Sequence, residues 1–461
     1  MKRLYESKDH KLLPRWLHGV RILGLASRSL GTFVSKLAIF GLRFAIGILT
    51  ARFLGPEGKG FVYLFVTSVM MCSILGNLGQ GPASIYFIAK ERKRLPVIVG
   101  NLLTIIVVAG ICVGLLGWTF LHYVRPDVSS QLPLWMWGIA ALLVPIHLMR
   151  SLFMQVLSAV LRVKEINTVE VAAVLVNLLL LILLVVIFDM GIGGAVVASA
   201  SSEILVASAF LLMVQYYYGR PERPNSTLLG ASLRFGIKSY LSNVMRHLSL
   251  RLDAFLVTAL AVDGMRATGV YSIATSIAEL LLFIPQSIRL SLFPMVAASD
   301  AGEANRLTSQ ACRHTMFLTI GCGVAIVILA AFVVPFVYGQ KFAGAVLPIV
   351  ILVPGTVMLS QAHVFYGDLT GRGKPEATAI SALLSLIVTV ILDVILIPRY
   401  GITGAAIAAT CAYSVEFIVA GSFFIFYSGL AWRDVLVFRR SDLRHYSCIL
   451  PTGATKVSGT V

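Results

Sequence analysis

The chain has 461 residues, 58% of them hydrophobic and only 13% charged, with a mean hydropathy of +0.88 and a formal net charge of +17. Soluble domains carry about 25% charged residues, so a water-soluble globular enzyme or binding module is excluded. Apolar runs of about 20 residues recur along the whole length, enough to cross about 30 Å of hydrocarbon as helix.

A basic segment, residues 1–28, comes first. It lacks a cleavable signal pattern, so the first apolar stretch is expected to remain as an anchor. About twelve spans follow, near 31–54, 61–89, 97–124, 134–161, 169–188, 194–218, 235–262, 270–298, 311–337, 345–370, 377–398 and 404–430. The lysines and arginines orient them. With both termini in the cytoplasm, 25 fall in inside segments and 5 in outside loops, the asymmetry that membrane insertion favours. The net charge is therefore mostly topology, attractive to anionic inner-leaflet lipid, and nucleic acid is not an expected partner. Eight basic residues remain inside spans: Lys36, Arg43, Arg52, Arg150, Lys238, Arg246, Arg251 and Arg289.

Spans 1–6 and 7–12 read as two copies. VKEINTVEVAAVLVNLLLLILLVVIFDMGIGGAVVAS matches GKPEATAISALLSLIVTVILDVILIPRYGITGAAIAA, aligning Lys164 with Lys374, Gly191 with Gly401 and Gly194 with Gly404. Six is even, so the copies run parallel, with a substrate path expected between them. The expected organisation is a six-helix bundle over 29–218, a cytoplasmic linker over 219–231, a second bundle over 232–430 and a cytoplasmic tail over 431–461. The fold class is all-α and polytopic, two bundles around a central cationic cavity.

Helical spacing places the polar residues. On span 7, Asn243, Arg246, Ser249 and Asp253 share a stripe about 120° wide, with Arg251 off it. Span 1 carries Lys36 and Arg43 on one face, span 2 carries Asn77 and Gln80, and span 8 carries Glu279 and Gln286. These four spans are equivalent pairs across the repeat. A charge at mid-bilayer costs at least about 2.5–3.5 kcal/mol on insertion scales. Such residues are expected to face a watery cavity or one another; for Asp253 a structural pair with Arg246 or Arg251 is the plain alternative. Lys36, Lys238, Arg289 and Arg52 lie near span ends, where snorkelling also accounts for them. Arg150 and His147 on span 4 form either a second basic patch or packing. Glu203, Asp393 and Glu416 are expected to be paired or neutral. Pro82, Pro285 and Pro354 mark expected breaks in spans 2, 8 and 10. The six cysteines show no metal spacing and read as small packing residues.

No GxxxxGK[ST], HExxH or GxSxG motif occurs, so no enzyme activity and no cofactor are expected. The cavity is cationic on balance, which suits a lipid with an anionic headgroup. Diphosphate matches arginine forks. Three segments carry a family resemblance: RFLGPEGKGFVYLF, the pattern LRLDAFLVTALAV…TGVYSIA…LFPMVAA, and GRGKPEA…LIPRYGITGAAIAA. Over residues 29–430 the chain resembles the polysaccharide-export, O-antigen-type flippases of the multidrug/oligosaccharidyl-lipid/polysaccharide (MOP) superfamily. The resemblance implies transfer of undecaprenyl-diphosphate-linked oligosaccharide from the inner to the outer leaflet of the bacterial cytoplasmic membrane by alternating access. It also implies membrane lipids, a polysaccharide polymerase and chain-length machinery as partners. By residue, Arg43 and Arg246, with Lys36 and Arg251, would hold the diphosphate. Asn77, Gln80, Asn243 and Gln286 would touch sugar, and Asp253 or Glu279 would couple an ion. The alternative is a multidrug or cation antiporter of the same fold, which would want an acidic or aromatic cavity.

Overall fold

The computed structural model describes residues 15–90, 94–124 and 134–437. Residues 1–14 of the basic N-terminal segment, residues 91–93, the loop 125–133 and the tail after 437 lie outside the described residues, as do the side chain of Lys238 and Cys448. The described elements are helical throughout. In chain order they are α1 (Arg15–Gly76), α2 (Gln80–Lys90), α3 (Leu95–Val124), α4 (Leu134–Ala159), α5 (Val163–Leu181), α6 (Gly191–Tyr218), α7 (Ser226–Leu260), α8 (Gly264–Ala278), α9 (Phe283–Ala298), α10 (Ala301–Val333), α11 (Val346–Gly371), α12 (Pro375–Ser428) and α13 (Trp432–Leu436). Helices with internal hydrogen bonds are what a bilayer demands of a spanning chain.

Nine helical stretches among the described residues are long and apolar enough to cross a membrane. Two of them, Val34–Gly76 and Pro375–Ser428, are long enough for two crossings and break at a glycine. Gly55 has φ 68° and Gly401 φ 57°, left-handed conformations that only glycine adopts without strain. The 35-residue α7 is also long enough to span, but its own charges keep it below the apolar threshold. The arrangement is consistent with twelve crossings.

The repeat seen in the sequence has a backbone cause. Gly191 opens α6 with φ 54° and Gly401 opens the second half of α12 with φ 57°. Each turns the chain between consecutive spans with almost no loop. Gly194 and Gly404, three residues on, lie against the preceding span: a Cβ would stand 3.1 Å from the Leu184 carbonyl carbon and 2.4 Å from the Leu396 carbonyl oxygen.

Of the expected breaks, the first is present: after Gly76 the chain turns through Leu78 (φ 48°) and Gly79 (φ 76°) before α2. Span 8 also breaks, through a 3-10 turn at Glu279–Leu282. At Pro354 the helix α11 runs on unbroken, as a membrane helix can where other groups satisfy the carbonyl that proline leaves without a donor.

The chain divides into two compact units, 1–49 with 72–236 and 50–71 with 237–461. The first unit packs Leu102, Leu148, Leu152, Phe153, Val156 and Phe210 into its core, all buried. Its α2 and α7 segments add a backbone contact: a Cβ on Gly236 would lie 2.3 Å from the carbonyl oxygen of Gly79, in the turn before α2, and Tyr86 of α2 stacks on Phe235 at 4.4 Å. The second unit takes in 50–71 through a similar contact. A Cβ on Gly60 would lie 2.0 Å from the Met265 carbonyl oxygen, and one on Gly269 1.8 Å from that of Pro56. The Nε of Arg52, also in this segment, donates to the Val337 carbonyl at 2.7 Å, so Arg52 is tied to backbone. The large side chains left exposed, such as Phe332, Phe336 and Phe426, would be an aggregation hazard in water and are the expected lipid face of a spanning helix.

Candidate functional site

In the first unit, α4, α5 and α6 each bring charge to one point. The Nε of Arg150 donates to Glu170 at 3.1 Å, and its other guanidinium nitrogens reach Glu170 and Glu203. The Nδ1 of His147, one turn earlier, lies 3.2 Å from Glu203. Arg43 of α1 is exposed on this unit and within electrostatic reach of Arg150, Glu170 and Glu203. Arg150 and His147 are thus neither a free basic patch nor inert packing, since two carboxylates neutralise Arg150. Lys36 is exposed on α1. Asn77 and Gln80 sit at the break between α1 and α2. Asn77 Oδ1 accepts from the Gly81 amide at 3.4 Å, and Gln80 Oε1 from Ser232 at 3.0 Å, beside Ser84 and Asn101 in a small polar pocket.

The second unit holds two separate charged groups. In one, Arg251 grips Glu279 with two bonds, 2.7 and 2.9 Å, and also reaches the Tyr63 hydroxyl at 3.2 Å. Arg251 lies off the polar stripe of α7 for this reason: its partner follows α8, not α7. Asp253, 3% exposed, accepts from the Tyr271 hydroxyl at 2.7 Å and from the Ala254 amide at 2.8 Å. Its neighbour Asp393 on α12 is fully buried, with neither carboxylate oxygen hydrogen-bonded. Ser249, also on the stripe, meets Ser385 at 3.0 Å. The carboxylate that neutralises Arg251 is therefore Glu279, and Asp253 is held by hydroxyl and amide donors.

The other group gathers Arg246, Arg289, His363, Tyr366 and Glu416 from α7, α9, α11 and α12. Arg246 donates to Asn243 Oδ1 at 2.8 Å. Arg289 has its guanidinium over the Tyr366 ring, 5.9 Å from the centroid, and makes no ion pair; it is turned onto α11 rather than reaching along its own helix to the membrane surface. The Tyr366 hydroxyl donates to Glu416 at 2.6 Å. His363 is 4% exposed and neither ring nitrogen has a hydrogen-bond partner. A buried polar group left so costs about 1–3 kcal/mol. Gln286 is exposed on α9.

Reading from the sequence missed Glu170, His363 and the tyrosines at positions 63, 271 and 366. His363 carried a usable signal, being an ionisable residue within an apolar span, whereas Glu170, at the very start of the span near 169–188, carried little. The tyrosines carried none, since a hydroxyl aimed at a carboxylate on another helix leaves no mark on local periodicity. No group of three or more histidine, cysteine or acidic side chains able to hold a metal occurs among the described residues.

Comparison with known proteins adds three findings. The family model for "Polysaccharide biosynthesis protein" matches residues 27–300, more than half of the chain. The "Probable low-salt glycan biosynthesis flippase Agl15" of Haloferax volcanii is 26% identical over 156 residues, 33% of either chain, so this chain spans about a third of that relative's length in the match. Among solved structures, the Lipid II flippase MurJ in an inward closed conformation superposes with TM-score 0.73 at 13% identity over 93% of both chains. An inward-facing multidrug resistance MATE family transporter of the MOP superfamily does so at TM-score 0.68 and 16% identity, over 85% of this chain and 94% of the other. At these identities the likeness is one of fold.

Proposed function

Because the chain belongs to the polysaccharide biosynthesis protein family, we propose that it is a flippase for undecaprenyl-diphosphate-linked oligosaccharide, moving the repeat unit from the inner to the outer leaflet of a bacterial cytoplasmic membrane by alternating access. The observation that carries the reading is the uncompensated arginine inside the bundles. Arg246 meets only the amide oxygen of Asn243 directly, while Arg43 stands exposed beside a cluster whose carboxylates are already engaged by Arg150. Guanidinium groups without a directly bound carboxylate have donors left for a diphosphate. A cation-exporting site would be arranged the opposite way at these arginines, with carboxylates left over; the carboxyl that is left over, Asp393, lies beside Asp253 instead.

In this reading Arg43 and Arg246 take the diphosphate, with Lys36 adding charge on the α1 face. Arg251, saturated by Glu279 and Tyr63, holds the shape of the site. Asn77, Gln80, Asn243 and Gln286 supply the amides that suit sugar hydroxyls. Ion coupling falls to Asp253, whose buried neighbour Asp393 makes simultaneous ionisation of both carboxyls costly; Glu279 enters through Arg251. The test is depletion of the protein followed by leaflet-resolved analysis of lipid-linked glycan, which is expected to accumulate on the inner leaflet. The double variant Arg43→Ala, Arg246→Ala is expected to insert normally and abolish export. Full export by that variant would refute the diphosphate assignment.

A further inference from the structure

We propose that Arg246, Arg289 and His363 form one anion site within the second unit, built to take a diphosphate. This rests on the flippase reading and deepens it, by adding Arg289 of α9 and His363 of α11 to the headgroup's contacts; that reading gives α9 only the sugar-facing Gln286 and α11 no substrate role.

Three observations carry it. First, Arg246 acts electrostatically on Arg289, and both act on His363. The Tyr366 ring lies under the Arg289 guanidinium and 6.1 Å from the His363 ring, and its hydroxyl donates to Glu416 at 2.6 Å. Glu416 acts on Arg246 without binding it directly, and two arginines beside one carboxylate leave net positive charge that an arriving dianion offsets. Second, the donors are not used up. A guanidinium offers five N–H groups. Arg246 gives one to Asn243, and Arg289 makes no hydrogen bond, resting on the Tyr366 ring. Third, His363 is buried to 4% exposure with both ring nitrogens unpartnered. A neutral imidazole beside two guanidinium groups has one donor for a phosphate oxygen and one acceptor for a hydroxyl, which suits the junction of diphosphate and first sugar.

The two helices meet here: Gly367 follows His363 by one helical turn, and a Cβ there would lie in ordinary van der Waals contact with the Cγ of Arg289, at 3.4 Å. The first unit shows no such pattern, since its Arg150 is closed off by Glu170 and Glu203.

The experiment uses the full-length protein in nanodiscs, titrated with undecaprenyl diphosphate, inorganic pyrophosphate and undecaprenol. Wild type is expected to bind the first tightly, the second more weakly and the third not at all. Arg289→Gln and His363→Asn are each expected to weaken undecaprenyl diphosphate binding at least tenfold, about 1.4 kcal/mol. Arg289→Lys should recover part of the loss, and Arg162→Gln, at a half-exposed position of the first unit paired with Glu165, should bind as wild type. Wild-type affinity in both Arg289→Gln and His363→Asn overturns the site and leaves the flippase reading standing. If His363→Asn fails to fold, Arg289→Gln decides alone, because among the described residues Arg289 makes no ion pair and its guanidinium rests on the Tyr366 ring. A wild type that takes pyrophosphate but no polyprenyl diphosphate supports the anion site and overturns the lipid substrate. One that takes neither overturns both.

Discussion

Arginine is handled in opposite ways at Arg150 of the first unit and in the group of Arg246 and Arg289 of the second, while Arg251 of the second unit, gripped by Glu279, follows Arg150. In the first, Arg150 is 15% exposed and is held by Glu170 from α5 and Glu203 from α6, with His147 on the same carboxylate. In the second, Arg246 and Arg289 have no carboxylate bound directly, and the nearest one answers to a tyrosine. The first arrangement ties three helices together and leaves nothing over; the second leaves charge over. The contrast teaches that buried charge in a duplicated fold need not have one purpose. Within one fold it can cement helices, as at Arg150, and, on the reading proposed above, receive an anion, as at Arg246 and Arg289.

The contrast can be broken at several points. The largest effect is expected from the double variant Glu170→Gln, Glu203→Gln, which leaves Arg150 unpaired. Breaking a buried pair from one side costs about 3–5 kcal/mol, so thermal unfolding in detergent should show a steep loss of stability. A near-native melting temperature would show that Arg150 is not structural cement. Arg251→Gln should cost less, about 1.5–3 kcal/mol, the range for hydrogen bonds to a charged group, because Glu279 is 28% exposed and regains some solvation. The smallest change is expected from Arg289→Gln. It breaks no ion pair and lifts a repulsion, so stability should stay within about 1 kcal/mol of wild type while export falls. A stability loss matching that of the Glu170 and Glu203 variant would place Arg289 with the cement and erase that distinction.

Much of the fold was legible in the sequence, for reasons that can be named. GIGG and GITG repeat because Gly191 and Gly401 both turn a corner at positive φ, and no other residue type does that cheaply. The charges of α7 stood out because a bilayer makes them expensive. What stayed hidden depended on other helices. Arg251 was off the stripe because Glu279 sits on α8's extension. Residues 50–71 group with 237–461 through backbone proximity at Gly60 and Gly269, which side-chain patterning cannot encode. Pro354 reads as a break, yet α11 continues through it, since local sequence does not say which neighbours make good a lost donor.

The crossing of Gly60 with Gly269 has a mechanical corollary. Here polypeptide rests on polypeptide, with a carbonyl oxygen 1.8–2.0 Å from where a first side-chain carbon would start. No knobs interlock at such a seam. It can part without unthreading a side chain and reseat without a rotamer search. A single methyl at either residue would wedge it ajar.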